Sequence, residues 1–259
     1  MSNLTVTIDA QRATVTLTRP ELRNAFNDEV IAELTQAFTE LGARDDLRAV
    51  VLAAEGPAFC AGADLNWMRR MADYDREQNL ADAARLAEML RVIHSCPKPV
   101  VARVQGDVYA GGMGLVACSD IAISADSAHY CLSETRLGLL PATISPYVMR
   151  AMGPRAAQRY CLSAERFDAA EALRVGLVHE VVPAQRLDER VDAVVKALVN
   201  ASPAAVRVCK RLLRDVAQRE IDAELIASTV EAIADVRASA EGREGVQAFL
   251  QKRQPAWLA

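Results

Sequence analysis

The chain has 259 residues, of which 51% are hydrophobic, 25% charged and 5% aromatic, a balance typical of soluble globular proteins and unlike that of disordered or fibrous ones. Its formal net charge of −4 provides no overall positive field, so we expect neither a nucleic-acid partner nor attachment to a membrane surface. No apolar run reaches the ~18 residues of a membrane span and the N-terminal residues lack signal-peptide features, so the sequence predicts a cytoplasmic protein.

Hydrophobic patterning predicts strands that alternate with helices over the first half of the chain. Apolar residues alternate with polar ones at the start and form continuous runs later, as buried parallel strands do. In chain order the elements are two strands within 4–18, a helix from its cap Asn27 or Asp28 to Leu41, a strand at 48–54, a helix at 80–93 and a strand at 99–104. Such alternation is typical of an α/β core.

The last part of the chain is predicted to be helical, because no strand pattern is found past Pro183. Amphipathic helices are predicted at 184–199, 203–218, 221–238 and 241–252. The second of them carries an apolar stripe of Val206, Leu212, Leu213 and Val216. Such a stripe either packs within the chain or forms an interface between subunits.

Cysteine and histidine spacings argue against metal chemistry. The six cysteines contain no C-x-x-C pair, and His94, His129 and His179 lie far apart in the sequence, so neither zinc binding nor dithiol chemistry is predicted. We therefore expect free thiols in a reducing compartment and no metal ion.

An internal repeat links VVLAAEGPAFCAG at 50–62 with VVARVQGDVYAGG at 100–112. The matching positions are Val50 and Val100, Val51 and Val101, Gly56 and Gly106, Phe59 and Tyr109, and Gly62 and Gly112. Each copy predicts a buried strand, a glycine turn, an aromatic residue and a small-residue run able to begin a helix. Two successive turns of one scaffold would produce this match, and a coincidence among common residue types is the alternative.

The small-residue runs Ala61-Gly62-Ala63-Asp64 and Ala110-Gly111-Gly112 leave their backbone N–H groups accessible. If each run begins a helix, its first N–H groups lack intrahelical partners. Two such donors would form an oxyanion hole for a carbonyl oxygen that gains negative charge. Tight packing of a helix against a strand requires the same small residues, so composition alone leaves both interpretations open.

Glu134 follows the second run and lies among apolar neighbours in Tyr130-Cys131-Leu132-Ser133-Glu134. Partial burial would raise the pKa of its carboxyl group and suit it to proton transfer. The segment Gly112-Met113-Gly114-Leu115-Val116-Ala117 also matches the dinucleotide-binding pattern G-x-G-x-x-A. Its first glycine stands too far beyond the preceding strand, however, and no hydride-transfer partner is evident, so nucleotide binding is disfavoured. For Glu134 itself, a solvated surface residue is the alternative to a proton-transfer group.

Taken together, these segments resemble the enoyl-CoA hydratase/isomerase, or crotonase, family over essentially the whole chain. The motifs that carry the resemblance are Arg19-Pro20-Glu21-Leu22-Arg23-Asn24-Ala25, Phe59-Cys60-Ala61-Gly62-Ala63-Asp64-Leu65, Ala110-Gly111-Gly112, Cys118-Ser119-Asp120-Ile121, Ser133-Glu134, Leu137-Gly138-Leu139-Leu140-Pro141, and the tail from Glu241-Gly242 to Lys252-Arg253. The resemblance implies an α/β spiral of ββα turns, followed by a helical trimerisation region. It divides the chain into a catalytic, acyl-CoA-binding core of residues 1–195 and a helical oligomerisation region of residues 196–259, in a homotrimer or hexamer.

The resemblance also implies site residues. The backbone N–H groups of Ala63 and Gly111 would bind the thioester oxygen of an acyl-CoA and stabilise an enolate. Residues implied along coenzyme A are Ala61, Asp64, Leu65 and Asn66 on its arm, Arg23 and Ala25 near its nucleotide end, and Phe249 and Lys252 beside coenzyme A of a neighbouring subunit. Coenzyme A is part of the substrate, so no separate cofactor is implied.

The family pattern is incomplete at the catalytic pair. Family hydratases use two glutamates, and Gly114 stands where the first would be, leaving space but no acid, while Glu134 matches the second. With Glu134 alone, the chain would hydrate a 2-enoyl-CoA or act as a Δ3,Δ2-enoyl-CoA isomerase. Hydration is favoured because the segments 63–68, 131–134 and 144–147 look like those of methylglutaconyl-CoA hydratase-type members. A weakly catalytic acyl-CoA- or RNA-binding relative is a third alternative, although the acidic charge argues against RNA.

Overall fold

The computed structural model describes residues 3–258 and contains two β-sheets covered by helices. The strands are β1 (Leu4–Asp9), β2 (Arg12–Leu17), β3 (Ala49–Ala54), β4 (Ala58–Cys60), β5 (Val100–Val104), β6 (Asp107–Tyr109), β7 (Ile121–Ala125), β8 (His129–Cys131), β9 (Phe167–Asp168) and β10 (Glu180–Val182). The helices are α1 (Asp28–Ala43), α2 (Leu65–Met71), α3 (Arg76–Ser95), α4 (Gly111–Cys118), α5 (Ser145–Ser163), α6 (Ala169–Arg174), α7 (Leu187–Asn200), α8 (Pro203–Val216), α9 (Ala223–Ala238) and α10 (Ala240–Leu250).

Successive turns of one spiral each contribute a strand to both sheets. Within residues 3–258 the large sheet has the strand order β1-β2-β3-β5-β7-β10 and the small sheet the order β4-β6-β8-β9. The first hairpin is antiparallel, whereas β2, β3, β5, β7 and β10 run parallel. The chain passes from the large sheet to the small sheet and then to a helix in β3-β4-α2, again in β5-β6-α4 and again in β7-β8-α5. The predicted spiral of ββα turns is therefore confirmed.

Strand β3 is buried at every position because helices cover both faces of the large sheet. Val50 and Leu52 belong to the main hydrophobic core, whereas Val51, on the opposite face, packs in a second cluster with Val191 of α7. A strand enclosed on both faces carries apolar residues without alternation. This is why the sequence shows a continuous apolar run here.

Strand pairing in the large sheet confirms the internal repeat, but the register of the pairing shifts in the small sheet. The paired residues are Val50 with Val100 and Val51 with Val101, then Ala58 with Asp107 and Cys60 with Val108 after an irregularity in register. The difference in residue number between paired positions is therefore 50 in the large sheet and 48 at the end of β4. The predicted equivalence of Gly62 with Gly112 is wrong, because the shifted register makes Gly62 equivalent to Ala110.

Helix boundaries follow local caps that the sequence partly revealed. Asn27 caps α1 by accepting a hydrogen bond from the Val30 N–H. The helix predicted at 80–93 begins earlier, at Arg76, because Asp75 and Gln78 form a capping box. The predicted boundary after residue 195 falls inside α7, which continues to Asn200.

The helical region is joined to the core by a partly buried ion pair. Lys210 is the buried residue of α8, and its Nζ atom donates to Asp120 Oδ2 at 2.5 Å and to the Lys98 carbonyl at 3.0 Å. The apolar stripe of the same helix is not enclosed by the chain, since Leu213 is 61% exposed. None of the helices between residues 3 and 258 has the length and apolarity needed to cross a membrane.

Candidate functional site

The loops that follow β4, β6 and β8 meet at one edge of the small sheet. These strands run parallel, so their carboxyl ends lie side by side, the usual location of ligand sites in parallel sheets. The predicted residues Ala63, Gly111 and Glu134 each follow one of them. The loops also touch: the Ala110 N–H donates to the Cys131 carbonyl at 2.9 Å, and a Cβ atom on Gly62 would lie 3.7 Å from the Gly111 nitrogen.

The first loop is held beside residues 23–26 by backbone hydrogen bonds. The bonds are Ala61 N–H to the Arg23 carbonyl at 3.0 Å, Phe26 N–H to the Gly62 carbonyl at 2.9 Å and Asp64 N–H to the Phe26 carbonyl at 2.9 Å. In such a parallel bridge between Phe26 and Ala63, the N–H of Ala63 points away from Phe26. This N–H forms no hydrogen bond within residues 3–258, so it is available to a ligand.

The second loop presents an N–H group at the start of α4. Gly111 is the first residue of that helix, and N–H groups in the first turn have no intrahelical acceptor. In both loops the residue before the donor has a positive φ, which is 87° at Gly62 and 46° at Ala110. The offset of 48 between paired residues at the end of β4 likewise places Ala63 opposite Gly111, so the two residues occupy equivalent positions in successive turns.

The glycines of the second run are also required for close packing. A Cβ atom on Gly111 would lie 2.3 Å from Cζ of Phe26, and one on Gly112 would lie 2.7 Å from the Cys60 carbonyl oxygen. Neither distance is sterically allowed. The packing interpretation of the small-residue runs is therefore confirmed, and the oxyanion interpretation stays a prediction for N–H groups that this packing positions.

Glu134 supplies a carboxylate with an unpaired oxygen. It begins the 3₁₀ helix Glu134–Leu137, and its Oε2 atom is buried without a hydrogen-bond partner in the part of the chain that the structure describes. Burial raises the pKa of Glu134, and its own backbone N–H, which lowers the pKa, offsets only part of this effect. A buried carboxylate with a free oxygen and a raised pKa is suited to exchange protons with a ligand.

The expectation that Gly114 leaves open space is wrong. A Cβ atom there would lie 2.4 Å from Cγ2 of Ile144 and 3.2 Å from Cδ2 of Leu90. Ile144 is 2% exposed, so its side chain fills the region that the sequence suggested was vacant. A glutamate at position 114 would require Ile144 to move.

Asp64 is buried and uses both carboxylate oxygens within the fold. Oδ1 accepts the N–H groups of Asn66 and Trp67, and Oδ2 accepts Nη2 of Arg19 at 2.9 Å. Burial alone would raise the pKa of Asp64, but these hydrogen bonds and the Arg19 charge outweigh burial and lower it. The carboxylate therefore caps α2, and Asp64 can line a ligand only through its backbone.

The other predicted coenzyme A residues fall into two groups. Arg23, Leu65 and Asn66 are exposed beside the first loop, with Ala61 partly exposed and Ala25 buried there. Phe249 is 81% exposed and Lys252 is also exposed, both near the end of α10, which packs on α8 and α9. Their contact with coenzyme A of a neighbouring subunit stays a prediction.

Sequence reasoning missed three residues that shape the site. Arg19 and Asn24 lie in a recognised motif, but only the fold shows that Arg19 pairs with Asp64 and that Asn24 donates to the carbonyls of Glu55 and Ala58. Phe26 is indistinguishable from an ordinary apolar residue before a helix. Within residues 3–258, no three His, Cys, Asp or Glu side chains come together as a potential metal site.

Comparisons with other proteins give a consistent result. The family model described as enoyl-CoA hydratase/isomerase matches residues 7–259. An enoyl-CoA hydratase structure from Shewanella pealeana has a TM-score of 0.96 and 44% identity, covering 98% of this chain and 96% of that one. One from Mycobacterium smegmatis has a TM-score of 0.94 and 35% identity, covering 99% of both chains. A Rhodobacter capsulatus protein named probable enoyl-CoA hydratase is 36% identical over 247 residues, covering 94% of this chain and 93% of its own.

Proposed function

Because the chain belongs to the enoyl-CoA hydratase/isomerase family, whose members act on acyl-CoA, we propose that it is an enoyl-CoA hydratase that adds water to a 2-enoyl-CoA thioester. The observation that carries this proposal is the buried, unpaired carboxylate oxygen of Glu134 at the same sheet edge as two free N–H donors. A proton-transfer group and an oxyanion hole are the two devices that this reaction requires.

In the proposed mechanism the thioester oxygen accepts hydrogen bonds from the N–H groups of Ala63 and Gly111. The oxygen of water bonds to C3, and the electrons of the C2=C3 bond move to the thioester carbonyl, forming an enolate. The donors stabilise the negative charge as it develops on the thioester oxygen. Glu134 takes the proton that water loses and returns it to C2 on the same face, which completes a syn addition and regenerates the carboxylate.

The electrostatics of Glu134 suit both halves of this cycle. A carboxylate in water is a weak base, but burial raises the pKa of Glu134 and so increases its affinity for a proton. The raised pKa is also closer to neutral pH, so the protonated carboxyl group can return its proton to C2 efficiently.

A second candidate, a Δ3,Δ2-enoyl-CoA isomerase, is favoured by the packing at Gly114. Ile144 fills the position from which a second carboxylate would extend. Isomerisation needs one carboxylate only, which would remove a proton from C2 of a 3-enoyl-CoA and return it to C4. An apolar neighbour such as Ile144 would also help to exclude water from the enolate.

Turnover of matched thioesters distinguishes the two candidates. A panel of straight and branched 2-enoyl-CoA and 3-enoyl-CoA substrates is assayed by the ultraviolet absorbance of the conjugated thioester, which hydration removes and isomerisation creates. We expect the conjugated substrates to lose absorbance and yield 3-hydroxyacyl products. Conversion of 3-enoyl substrates without hydration of any 2-enoyl substrate would establish the isomerase instead.

The binding of coenzyme A belongs to the same proposal. We assign its arm to the surface formed by Ala61, Leu65 and Asn66, with the exposed cation of Arg23 near its phosphates. The Arg23 backbone has a φ of 52° and its carbonyl accepts the Ala61 N–H, so the donor loop fixes the backbone from which this side chain extends. Arg23→Ala should raise KM several-fold with little change in kcat, and this effect should shrink at high salt.

We further propose that the helical region assembles a homotrimer or hexamer. Apolar side chains stand exposed on the last two helices, at Ile226, Val230, Ile233, Val246, Phe249 and Leu250. Exposed apolar surface of this extent marks an interaction site, and assembly would bring Phe249 and Lys252 toward a neighbouring subunit. Sedimentation of the wild type should give the oligomer, and Val230→Asp should yield smaller species.

A further inference from the structure

Phe26 contacts both donor loops, and it does so with different parts of the residue. Its backbone N–H donates to the Gly62 carbonyl and its carbonyl accepts the Asp64 N–H, each at 2.9 Å. These two bonds flank Ala63, whose own N–H is left free. The Phe26 backbone therefore fixes the orientation of the first donor.

The ring of Phe26 contacts the second donor. A Cβ atom on Gly111 would lie 2.3 Å from Cζ and 3.2 Å from both Cε1 and Cε2, so the outer edge of the ring faces the Cα of Gly111. The Phe26 residue thus spans the gap between the backbone beside Ala63 and the Cα of Gly111.

The ring is held rigidly in this place. Phe26 is 1% exposed, and the 3% exposed Trp67 packs against it with ring centroids 6.2 Å apart. Trp67 is itself fixed in the first turn of α2, where its N–H is accepted by Asp64. A ring enclosed on these sides cannot move aside without shifting one of the two loops.

We propose that Phe26 is a positioning residue that sets the separation of the two oxyanion N–H donors. This inference rests on the proposed function, in which Ala63 and Gly111 bind the thioester oxygen. Phe26 acts through these groups, because its polar backbone atoms are already paired and its ring lies behind Gly111. A small misplacement of such groups lowers the rate by about 100-fold, so the ring should govern kcat without forming a contact to the substrate.

Phe26→Leu tests the inference, because leucine lacks the Cζ and Cε atoms that face Gly111 and retains every backbone hydrogen bond. We expect kcat to fall about 10-fold to 100-fold while KM changes less than threefold, since the donors act mainly in the transition state. The matched control is Phe38→Leu. Phe38 is equally buried but lies about 15 Å along α1 from its first residue, so the control should lose comparable stability and retain kcat.

A double-mutant cycle separates positioning from general destabilisation. Gly111→Ala in the wild type places a methyl group against Cζ of Phe26 and should lower kcat about 100-fold. In the Phe26→Leu background the same methyl group has room, so Gly111→Ala should cost less than about 10-fold there. An equal cost of Gly111→Ala in both backgrounds, or a kcat of Phe26→Leu within twofold of the wild type, would overturn the inference.

A spectroscopic readout distinguishes failure of this inference from failure of the proposed function. Acetoacetyl-CoA forms an enolate that absorbs in the near ultraviolet, and an oxyanion hole raises the enolate fraction of the bound ligand without any turnover. We expect a strong enolate band with the wild type and with Phe38→Leu, and an approximately 10-fold lower enolate-to-keto ratio with Phe26→Leu. A wild type that forms no enolate contradicts the oxyanion hole itself, whereas equal bands in wild type and Phe26→Leu contradict only the role of Phe26.

Discussion

The two turns of the spiral that present N–H donors reach the same geometry by different means. In the first turn, Asp64 caps α2 with its side chain and pairs with Arg19. In the second turn, α4 has no side-chain cap, and Gly111 is positioned by contact with Phe26. One donor is thus held by charge and hydrogen bonds, and the other by close packing.

The turns also differ in backbone strain. The residue before the first donor is Gly62, which adopts its φ of 87° without cost. The equivalent residue in the second turn is Ala110, with φ 46° and ψ −121°, a region that residues with a Cβ atom rarely occupy. The first turn should therefore be sensitive to loss of charge, and the second to added bulk and to relief of strain.

The largest expected effect comes from the third turn, which carries Glu134, the proposed proton-transfer group. Glu134→Gln retains the shape of the side chain but cannot take a proton, so kcat should fall by about 10²–10⁴-fold. Steady-state kinetics with the preferred thioester measure this loss. Glu165→Gln, on the surface, is the matched control. A loss below tenfold would exclude Glu134 as the proton-transfer group.

The raised pKa of Glu134 has a further consequence for pH dependence. A group whose pKa is higher in the folded state stabilises the fold when protonated, so stability should fall as pH rises through the folded pKa. Glu134→Gln should remove this decline and unfold no more easily than the wild type at neutral pH. Denaturant unfolding of both proteins between pH 5 and pH 8 checks the sign.

Gly111→Val should break the second turn, because the donor there is positioned by packing. The new side chain meets Cζ of Phe26 and displaces the N–H, so kcat should fall about 10²–10³-fold, the usual loss for one oxyanion donor. The assay is run on protein shown by circular dichroism to be folded. Near-native kcat in the folded variant would mean that the thioester oxygen binds elsewhere.

Asp64→Asn should weaken the first turn, because asparagine still caps α2 but cannot pair with Arg19 as an ion. Loss of a charge-assisted hydrogen bond at a buried position should cost about 2 kcal/mol at pH 7. The pKa of Asp64 is lowered in the fold, so the wild type has this advantage above the unfolded pKa of about 3.9 and loses it as pH falls through the folded pKa.

Urea unfolding at pH 7 and near pH 3 measures this difference between wild type and Asp64→Asn. The two curves should be well separated at pH 7 and approach each other in acid. Equal stability at pH 7 would show that the Arg19 pair does not hold the first turn together.

Ala110→Gly should give the smallest effect and the opposite sign. Glycine adopts a positive φ without strain, and glycine already stands at the equivalent position 62, so we expect about 1 kcal/mol of added stability and a Tm increase of roughly 2–4 °C. Ala117→Gly, in the last turn of α4, should instead lower the Tm because glycine weakens a helix. An unchanged or lower Tm for Ala110→Gly would show that the backbone of Ala110 is not strained.

Patterns along the chain are enough to predict the α/β class and most of the helices. These features depend on periodicity and on caps such as Asn27, which involve residues that are neighbours in the sequence. The resemblance of its motifs to those of a known family implies the ββα spiral and the candidate groups Ala63, Gly111 and Glu134. Local patterns therefore determine the fold class and the helices, and the family resemblance supplies the spiral and the candidate groups.

How those groups are brought together depends on tertiary packing. The register shift in β4 makes Gly62 equivalent to Ala110, Ile144 fills the space beside Gly114, and the Phe26 ring rests on Gly111. Each of these contacts joins residues far apart in the chain. Their geometry depends on strand register and on the close packing of the whole core, which no local pattern in the sequence encodes.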